Sequence, residues 1–515
     1  MMDASQADSP VPSAMNPNRA GGSPARPAPA HGLRVLQNTV AVLIGRGVGI
    51  VCAAVASVLL ARFLGVERSG EYAAIYAYLT LFAWLASFGV GPLIAREASK
   101  DRAAAGSLVA TGVRIAAVFG ILTVAIALAS APIAHLGGKL FSLLAIASVE
   151  IFLLGPVLLP GVVFQVDLRQ WYPSAFSVVR QALWLGIVLA LIWAGAPLVW
   201  VILGRLTAAS VEAGLNWYFG HHYLEGPKEF LSPVAKILVR GGFVVTLAAL
   251  ASNVYLRIDQ VMLHRMVGDV PLGQYAQAVR ISELFEALPA AFVSSLFPLL
   301  CAALVDPPRF RRLLDISFRY MTLAGATLSL SFCVGARLII HTLYGAQFAP
   351  AAPLLAVLIW SETAIFFWST LSNALFADGM QKYVLVSSVS GAVINIALNL
   401  MLIPRWGAIG ASWATVIAYG ACCTLVIIPF RAARSILWVG LRLLVPITAM
   451  ALLVYGAAIL LPVNDWVRTG AASLVFVLLA FAFRFIRNED FEFLRQLWKS
   501  RPGARPLEGK STQME

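Results

Sequence analysis

Eight of the ionisable side chains inside long apolar runs of the sequence are candidate site residues, because a charge is energetically costly there. They are four arginines and four carboxylates, namely Arg46, Arg205, Arg257, Arg280, Glu150, Asp259, Glu283 and Glu362. Ionisable groups at membrane depth usually face the interior of a helix bundle or a water-filled cavity. The alternative for each one is a structural ion pair between helices, or a long side chain that reaches the interface. The set as a whole favours a polar cavity over isolated structural pairs.

The stretch NVYLRIDQVMLHRM, residues 253–266, places a base and an acid two positions apart near the end of an apolar run. On a helix, Arg257 and Asp259 are about 200° apart, so they do not face each other. Each side chain therefore needs its own partner or water. The sequence allows two depths in the membrane for these residues. The apolar window fits either 237–256, with both charges at its edge, or 243–263, with both buried.

Other spacings place charged residues on shared helix faces. Arg280 and Glu283 are three positions apart and can touch. Arg205 and Glu212 are seven apart, so they lie on one face, two turns from each other. Three further arginines near the ends of apolar runs are expected to anchor the chain at the membrane interface, namely Arg180, Arg319 and Arg337.

The composition is that of a helical membrane protein. Of the 515 residues, 60% are hydrophobic and 12% are charged, whereas a soluble domain is roughly 45–50% apolar and about 25% charged. Apolar runs of roughly 20 residues fit membrane-spanning helices and not the strands of a barrel. A net charge of +13 would suggest nucleic acid in a soluble protein, but membrane topology explains it here, so no nucleic-acid partner is expected. The five cysteines lack metal-binding spacing, and no metal or other cofactor is predicted.

Fourteen segments are long and apolar enough to span a membrane, with twelve as the alternative count. They lie near residues 37–61, 72–95, 107–131, 141–165, 175–195, 198–220, 236–264, 273–304, 319–343, 352–376, 383–403, 407–430, 439–462 and 465–487. With the N-terminus inside, the loops after spans 2, 8 and 12 and the C-terminal tail share one side and carry most of the arginine and lysine, which follows the positive-inside rule. Both termini are therefore predicted to be cytoplasmic.

A block of the first half recurs in the second half without a gap. LLARFLGVERSGEYA (59–73) matches MLHRMVGDVPLGQYA (262–276) at an offset of 203 residues. About six spans separate the copies, so the repeat runs parallel, about an axis along the membrane normal, and two such lobes with a site between them form a transporter architecture. The predicted organisation is a disordered tail at 1–33, six-helix lobes at 34–225 and 226–430, two extra helices at 431–487 and a cytoplasmic tail at 488–515.

Three stretches resemble polysaccharide flippases of the O-antigen (Wzx-like) type, in the multidrug/oligosaccharidyl-lipid/polysaccharide exporter superfamily. They are LRIDQVMLHRMVGDVPLGQYAQAVRISE at spans 7 and 8, LLARFLGVERSGEYA in the first hairpin, and NALFADGMQKY with INIALNLMLIPRWGAIGASWATVIAYG between residues 373 and 420. The last stretch carries an asparagine-rich span, LIP, and the pattern G-x-x-G-A-S-x-A-T. The resemblance covers about residues 35–490 and identifies the family rather than a substrate.

The resemblance implies a substrate and roles for the charged residues. It implies that the protein moves an oligosaccharide on undecaprenyl diphosphate from the cytoplasmic to the periplasmic leaflet of a bacterial inner membrane, for O-antigen (lipopolysaccharide) or exopolysaccharide synthesis. Guanidinium forks suit phosphate, so the expected head-group contacts are Arg46, Arg205, Arg257 and Arg280. Charge partners, or sites for a coupling H⁺ or Na⁺, are expected at Asp259, Glu283, Glu150 and Glu362.

The resemblance also implies partners, and two alternative functions stay open. The polymerase and glycosyltransferases of the same pathway are the expected partners. A multidrug or small-cation exporter of the same superfamily would have an acid-dominated cavity. A membrane glycosyltransferase or polymerase would show a long catalytic loop, whereas no loop here exceeds about 15–20 residues. A Walker-type loop is absent from the sequence, so we predict a transporter, not an enzyme, that hydrolyses no nucleotide itself.

Overall fold

The structure, a computed structural model, describes residues 29–167, 169–490 and 492. The side chains at 29–44, 46, 244, 248, 251, 252, 294 and 295 lie outside that description. Most of the tail predicted at 1–33, and most of the tail predicted at 488–515, also lies outside the described residues.

Helices form the regular structure of the first half of the molecule. Backbone groups inside hydrocarbon must bond within their own segment, which favours helices in apolar runs of this length. The helices are α1 (Pro29–Ser87), α2 (Val90–Lys100), α3 (Ala105–Ser130), α4 (Lys139–Phe152), α5 (Val162–Val166), α6 (Trp171–Trp193) and α7 (Leu198–Tyr223). A π-helical turn at Leu153–Val157 follows α4, where Pro156 cannot donate a backbone hydrogen bond.

The second half of the molecule is helical in the same way, and no strand occurs among the described residues. Its helices are α8 (Ser232–Val267), α9 (Asp269–Glu283), α10 (Ala287–Ala303), α11 (Pro307–Val334), α12 (Ala336–Tyr344), α13 (Ala351–Leu358), α14 (Trp360–Ala377), α15 (Gln381–Trp406), α16 (Ala408–Cys423), α17 (Arg431–Ile459) and α18 (Asp465–Ala482).

The prediction of an all-α polytopic membrane protein is confirmed. Within the described residues, ten helical segments are long and apolar enough to cross a membrane, and α11 with α12, bent by 69°, would make eleven. Each of the fourteen predicted segments overlaps helix in the structure. One of the ten, residues 47–100, contains the predicted span 72–95 and most of the predicted span 37–61, because α1 continues through a kink at Gly65. The number of spans, fourteen, stays a prediction.

The two copies of the repeated block bend the chain at the same position. Gly65 in α1 has φ 73° and ψ −178°. Gly268, which lies 203 positions later between α8 and α9, has φ 104° and ψ −172°. Residues with a Cβ rarely adopt positive φ, which explains why glycine stands at both bends. The sequence repeat therefore corresponds to a repeated helical hairpin: hairpin 1, on either side of Gly65, and hairpin 2, on either side of Gly268.

The largest buried apolar cluster joins the two hairpins. It includes Leu64 and Tyr72 from hairpin 1, Leu272 and Tyr275 from hairpin 2, and Phe348. Two smaller clusters lie within the second half, and a third consists mainly of first-half residues together with the start of α8. Many large apolar side chains are exposed on the outer surface, where hydrocarbon is as apolar as the side chains themselves. The core near the hairpins therefore holds the two halves together.

Helix α8 packs against both halves. Its 36 residues make it about 54 Å long, longer than the hydrocarbon core of a bilayer. Near its start, Leu238 is buried in the apolar cluster of the first half with Val90 and Ile94, and α8 also packs against α15. The predicted boundary between lobes at 225/226 stays a prediction.

Arg319 is buried, although its place near a span end predicts an interface anchor. Its side chain is 3% exposed and forms ion pairs with Asp315, one turn earlier in α11, and with Asp490 at 2.9 Å. The Tyr320 hydroxyl donates to the backbone carbonyl of Arg487 at 3.4 Å. The four-residue spacing to Asp315 is visible in the sequence, but the contact with Asp490 exists only because the segment that follows α18 packs against α11.

Candidate functional site

Two polar cavities lie between the halves of the molecule. Cavity A has a volume of about 200 Å³, and its polar lining residues are Ser57, Ser69, Tyr72, Arg180, Gln181, Arg205, Gln277 and Arg280. Cavity B has a volume of about 140 Å³, and its polar lining residues are Tyr76, Thr80, Arg205, Arg257, Gln260, Arg280 and Glu283. Both are bordered by Ala73, Arg205, Ala276 and Arg280. We call the two together the inter-lobe cavity.

Arg205 of α7 is held at the first-half wall of this cavity by three partners. Its guanidinium donates to Glu150 of α4 at 3.1 Å and to the Tyr72 hydroxyl at 2.8 Å, and it lies 3.8 Å from the ring centre of Tyr76. The ion pair and the aromatic face offset part of the cost of a charge inside the membrane. The Arg205 side chain remains 28% exposed, so it is anchored and still faces the cavity.

Arg257 and Asp259 bond to different partners, as their helical spacing predicts. Arg257 forms an ion pair with Glu283 of α9 at 2.5 Å. Asp259 accepts a hydrogen bond from the Tyr275 hydroxyl at 2.5 Å and another from the backbone N–H of Gln260 at 2.7 Å. Arg257 lines cavity B, whereas Asp259 lines a separate pocket inside the second half.

Two expected pairings are replaced by contacts between helices. Glu212, expected near Arg205 on the same face of α7, pairs with Arg180 of α6 at 2.7 Å. Glu283, expected to reach Arg280 within α9, pairs with Arg257 of α8. Spacing along one helix shows which residues share a face, but a neighbouring helix supplied the closer partner in both cases. Arg180, expected as an interface anchor, lines cavity A.

Arg280 differs from the other arginines of the inter-lobe cavity. Within the part of the chain that the structure describes, Arg180, Arg205 and Arg257 each form an ion pair, whereas Arg280 forms none. Arg280 lines both polar cavities and a third, apolar one. Its guanidinium is therefore the cavity cation least compensated by protein carboxylates, which is the property that an anionic ligand needs.

The third cavity, cavity C, lies between α1 and α9. It has a volume of about 430 Å³ and is lined mainly by apolar residues, namely Ala53, Ala54, Val55, Val58, Leu59, Ile281, Leu284, Leu343 and Tyr344, together with Ser57. Arg280 and Glu283 form its polar end. Val55 and Leu284 are exposed on the outer surface of the molecule. Cavity C shares Arg280 with both polar cavities and therefore lies directly beside the inter-lobe cavity.

Four carboxylates line a narrow pocket inside the second half. They are Asp259, Glu283, Glu286 and Glu362, with Tyr255, Tyr275, Ser282, Ser361, Thr415 and Tyr419 among the other lining residues. The pocket has a volume of about 40 Å³. The Ser282 hydroxyl donates to Glu362 at 2.5 Å, and both groups are buried. Glu283 lines this acidic pocket and also cavity B, so it connects the two sites.

The structure brings together seven of the eight predicted site residues, in two groups. Arg205, Arg257, Arg280 and Glu283 line the inter-lobe cavity, and Glu150 holds Arg205; Asp259 and Glu362 lie in the acidic pocket with Glu283. The side chain of Arg46 lies outside the described residues. The sequence predicted Arg180 as an interface anchor and did not select Glu286 as a site residue, although Glu286 is a charged residue inside an apolar run. Among the described residues, no group of three or more His, Cys, Asp or Glu side chains is arranged to hold a metal ion.

A sequence model of a known family matches much of the chain. The family is described as "Polysaccharide biosynthesis protein", and the match covers residues 35–303, which is 269 of the 515 residues. A curated relative, "Probable flippase AglR" of Haloferax volcanii, is 29% identical over 259 residues. That match covers 47% of this chain and 52% of the relative, so the aligned region spans about half the length of that protein.

Solved structures with the same fold extend over almost the whole chain. "Lipid II flippase MurJ, inward closed conformation" is 14% identical, covers 90% of this chain and 100% of its own, and has a TM-score of 0.66. An inward-facing MATE multidrug resistance transporter of the MOP superfamily is 13% identical, covers 78% and 99%, and has a TM-score of 0.60. At such low identity the likeness shows the fold alone. With the family match over more than half of its length, the chain belongs to the polysaccharide biosynthesis protein family.

Proposed function

We propose that this protein moves an oligosaccharide linked to undecaprenyl diphosphate across a membrane by alternating access between its two halves. The observation that carries the proposal is the position of Arg280, where the two polar cavities meet the apolar cavity C. A lipid-linked oligosaccharide has three parts in the same order: sugars, an anionic diphosphate and an apolar chain. The cavities offer polar space, a cation and an apolar cavity in that sequence.

The chemistry of the inter-lobe cavity supports an anionic head group. Arg205, Arg257 and Arg280 border cavity B, and guanidinium groups bind phosphate oxygens through paired hydrogen bonds. A sugar diphosphate cannot leave water unless protein groups replace its hydration. An exporter of cationic drugs would need the opposite sign of charge at this place. Arg46 belongs to the proposed head-group contacts as well, on the basis of sequence alone.

The remaining parts of the proposal concern the cellular setting. We propose that flipping runs from the cytoplasmic to the periplasmic leaflet of a bacterial inner membrane, with both termini cytoplasmic. The product would be a repeat unit of O-antigen or exopolysaccharide, supplied by glycosyltransferases and consumed by a polymerase. The curated relative named as a flippase and the family description as polysaccharide biosynthesis support the flipping of a glycan lipid. The leaflets, the orientation of the termini and the kind of repeat unit are proposed from the sequence.

Deletion of the gene in its host tests the activity. We expect lipid-linked repeat units to accumulate with their sugars on the cytoplasmic face, because synthesis continues while translocation stops. Mass spectrometry of extracted lipids, combined with a lectin or oxidant that reaches only one face of membrane vesicles, measures both amount and side. Complementation with the intact chain serves as the control. Loss of the lipid-linked repeat units themselves would assign the protein to synthesis and contradict the proposal.

We propose that the acidic pocket beside the cavity binds the coupling ion. Glu283 faces the acidic pocket and is also the partner of Arg257. A proton or Na⁺ that neutralises this pocket would weaken the hold of Glu283 on Arg257 and leave that guanidinium available for phosphate. Ion binding and head-group binding would then influence each other, since coupling between two sites is reciprocal.

Carboxamide substitutions in the acidic pocket test the coupling. In proteoliposomes that contain a fluorescent lipid-linked oligosaccharide, we expect flipping by the intact chain to rise under either a pH gradient or a Na⁺ gradient. Asp259→Asn and Glu362→Gln are expected to lose that response because the neutral amide cannot exchange its charge. Glu229→Gln, at an exposed position, is the matched control. If the intact chain responds to neither gradient, or both variants respond as it does, coupling at this pocket is refuted.

A further inference from the structure

Hairpins 1 and 2 touch each other through two glycines in equivalent positions. A Cβ atom on Gly70 would lie 1.9 Å from the carbonyl oxygen of Asp269. A Cβ atom on Gly273 would lie 2.0 Å from the carbonyl oxygen of Val66. Val66 and Asp269, like Gly70 and Gly273, are 203 positions apart. The contact is therefore reciprocal: each hairpin sets its glycine against the backbone of the other.

Arg62 adds hydrogen bonds between the halves near the Gly70–Gly273 contact. Its guanidinium donates to the backbone carbonyls of Leu343 at 2.6 Å and Thr342 at 2.5 Å. The side-chain amide of Gln347 donates back to the Arg62 carbonyl at 3.3 Å. These bonds connect hairpin 1 with the second half, and we call them together with the Gly70–Gly273 contact the hairpin seal.

A second close contact joins the halves at the other end of hairpin 1. The helix is interrupted between α1 and α2, where Phe88 has φ 48° and is buried. A Cβ atom on Gly242 of α8 would lie 2.3 Å from the Phe88 carbonyl oxygen, and one on Gly89 would lie 2.9 Å from Val245. The Phe88 ring stacks on Phe119 with centroids 3.6 Å apart, which holds the break against the first half. We call this contact the break seal.

Along α1, residues that line the inter-lobe cavity lie between the two seals. Along α8, they lie between the break seal and the end of the helix. On α1, Tyr72, Tyr76 and Thr80 line the cavity between Gly70 and the break at Phe88. On α8, Arg257 and Gln260 line it between Gly242 and the end of the helix. The 19 residues from Gly70 to Gly89 correspond to about 28 Å, close to the thickness of the hydrocarbon core.

We infer that the hairpin seal and the break seal are the two gates of the transport path, an inference that rests on the proposed alternating access. Glycine lets two backbones meet in van der Waals contact at these two points. Such a seal can open as a rigid-body movement of one half against the other. A methyl group on one glycine cannot be accommodated against a backbone carbonyl, so it favours the state in which that end is open.

Thiol labelling from each side of the membrane tests the two gates. The reporter is Thr80→Cys in cavity B, in the full chain with its native cysteines at 52, 301, 333, 422 and 423 replaced by serine or alanine. A membrane-impermeant methanethiosulfonate reagent is applied to spheroplasts or to inverted vesicles. We expect Gly273→Ala to raise the labelling rate by about tenfold from one side, and Gly242→Ala to raise it by about tenfold from the opposite side, since overpacking of this size shifts a two-state equilibrium by that order.

Matched controls separate gating from general damage. Gly214→Ala, in α7, adds the same methyl group where no atom lies within 4 Å, and it is expected to label as the unmodified reporter chain does. Arg62→Gln removes the exposed bonds of the hairpin seal without adding bulk, and it is expected to raise labelling from the same side as Gly273→Ala. If a glycine variant fails to accumulate as folded protein, Arg62→Gln decides the hairpin seal. The inference is overturned if Arg62→Gln labels as Gly214→Ala does, or if both glycine variants open the same side.

Discussion

Substitution of Arg280 by glutamine is expected to reduce flipping of a lipid-linked oligosaccharide by at least about tenfold, because a charge-assisted hydrogen bond to phosphate contributes roughly 1.5–3 kcal/mol. Among the described residues that line the inter-lobe cavity, Arg280 is the arginine without an ion-paired carboxylate. Its loss leaves no buried protein charge uncompensated, so the amount of folded protein should stay near that of the unmodified chain. The rate of flipping in proteoliposomes, at matched protein amount, is the measurement.

Two further variants define what Arg280 supplies. Arg280→Lys keeps the charge but loses the planar fork, so an intermediate rate is expected. Arg405→Gln removes an arginine at an exposed position and should leave the rate unchanged. Binding of undecaprenyl diphosphate without sugars should fall in Arg280→Gln as strongly as binding of the complete substrate does. Undiminished flipping by Arg280→Gln would remove the observation on which the proposed function rests.

Replacement of Arg205 by methionine is expected to destabilise the protein by about 3 kcal/mol, because it leaves Glu150 buried without its ion pair. Glu150 is 11% exposed and 3.1 Å from the Arg205 guanidinium. Replacement of Glu150 by glutamine in the same chain should restore most of the lost stability, since the pair is then removed as a whole. Thermal unfolding of the single and double variants in detergent measures these differences as shifts in Tm.

The double variant separates the structural role of Arg205 from its role in transport. If Arg205 contacts the head group, Arg205→Met with Glu150→Gln should be stable and still flip substrate at least about tenfold more slowly, because a charged hydrogen-bond donor has been lost. Glu150→Gln alone retains the guanidinium in the cavity and should flip substrate faster than the double variant. Normal flipping by the double variant would restrict Arg205 to a structural ion pair.

Several features of the fold follow from local properties of the chain. The recurrence of apolar runs predicts membrane helices, because a backbone without water must bond within its own segment. The repeated block predicts that spans 1 and 2 correspond to spans 7 and 8, and Gly65 and Gly268 bend the chain at matching positions. Such bends are encoded locally, since positive φ depends on the residue at that position.

The pairing of charges could not be predicted in the same way. Arg205 and Glu150 are separated by 55 residues, and Arg257 and Glu283 by 26. Spacing assigns a residue to a helix face, as it did for Arg257 and Asp259, but the helix that packs against that face is a property of the whole bundle. Arg180 illustrates the difference: its position near a span end suggests an anchor, yet α7 presents Glu212 to it and the two halves enclose it.

The sequence by itself determined the class of the protein, its duplicated hairpin and the small set of charged residues that had to find partners inside a membrane. These depend on short-range chemistry, namely the free-energy cost of unpaired backbone groups and unpaired charges in hydrocarbon. Only the tertiary structure decided that Arg280 would lack an ion pair among the described residues, that apolar cavity C would meet the polar cavities beside it, and that Gly70 and Gly273 would touch across the halves. Those outcomes depend on how helices pack against each other, which no spacing along one helix specifies.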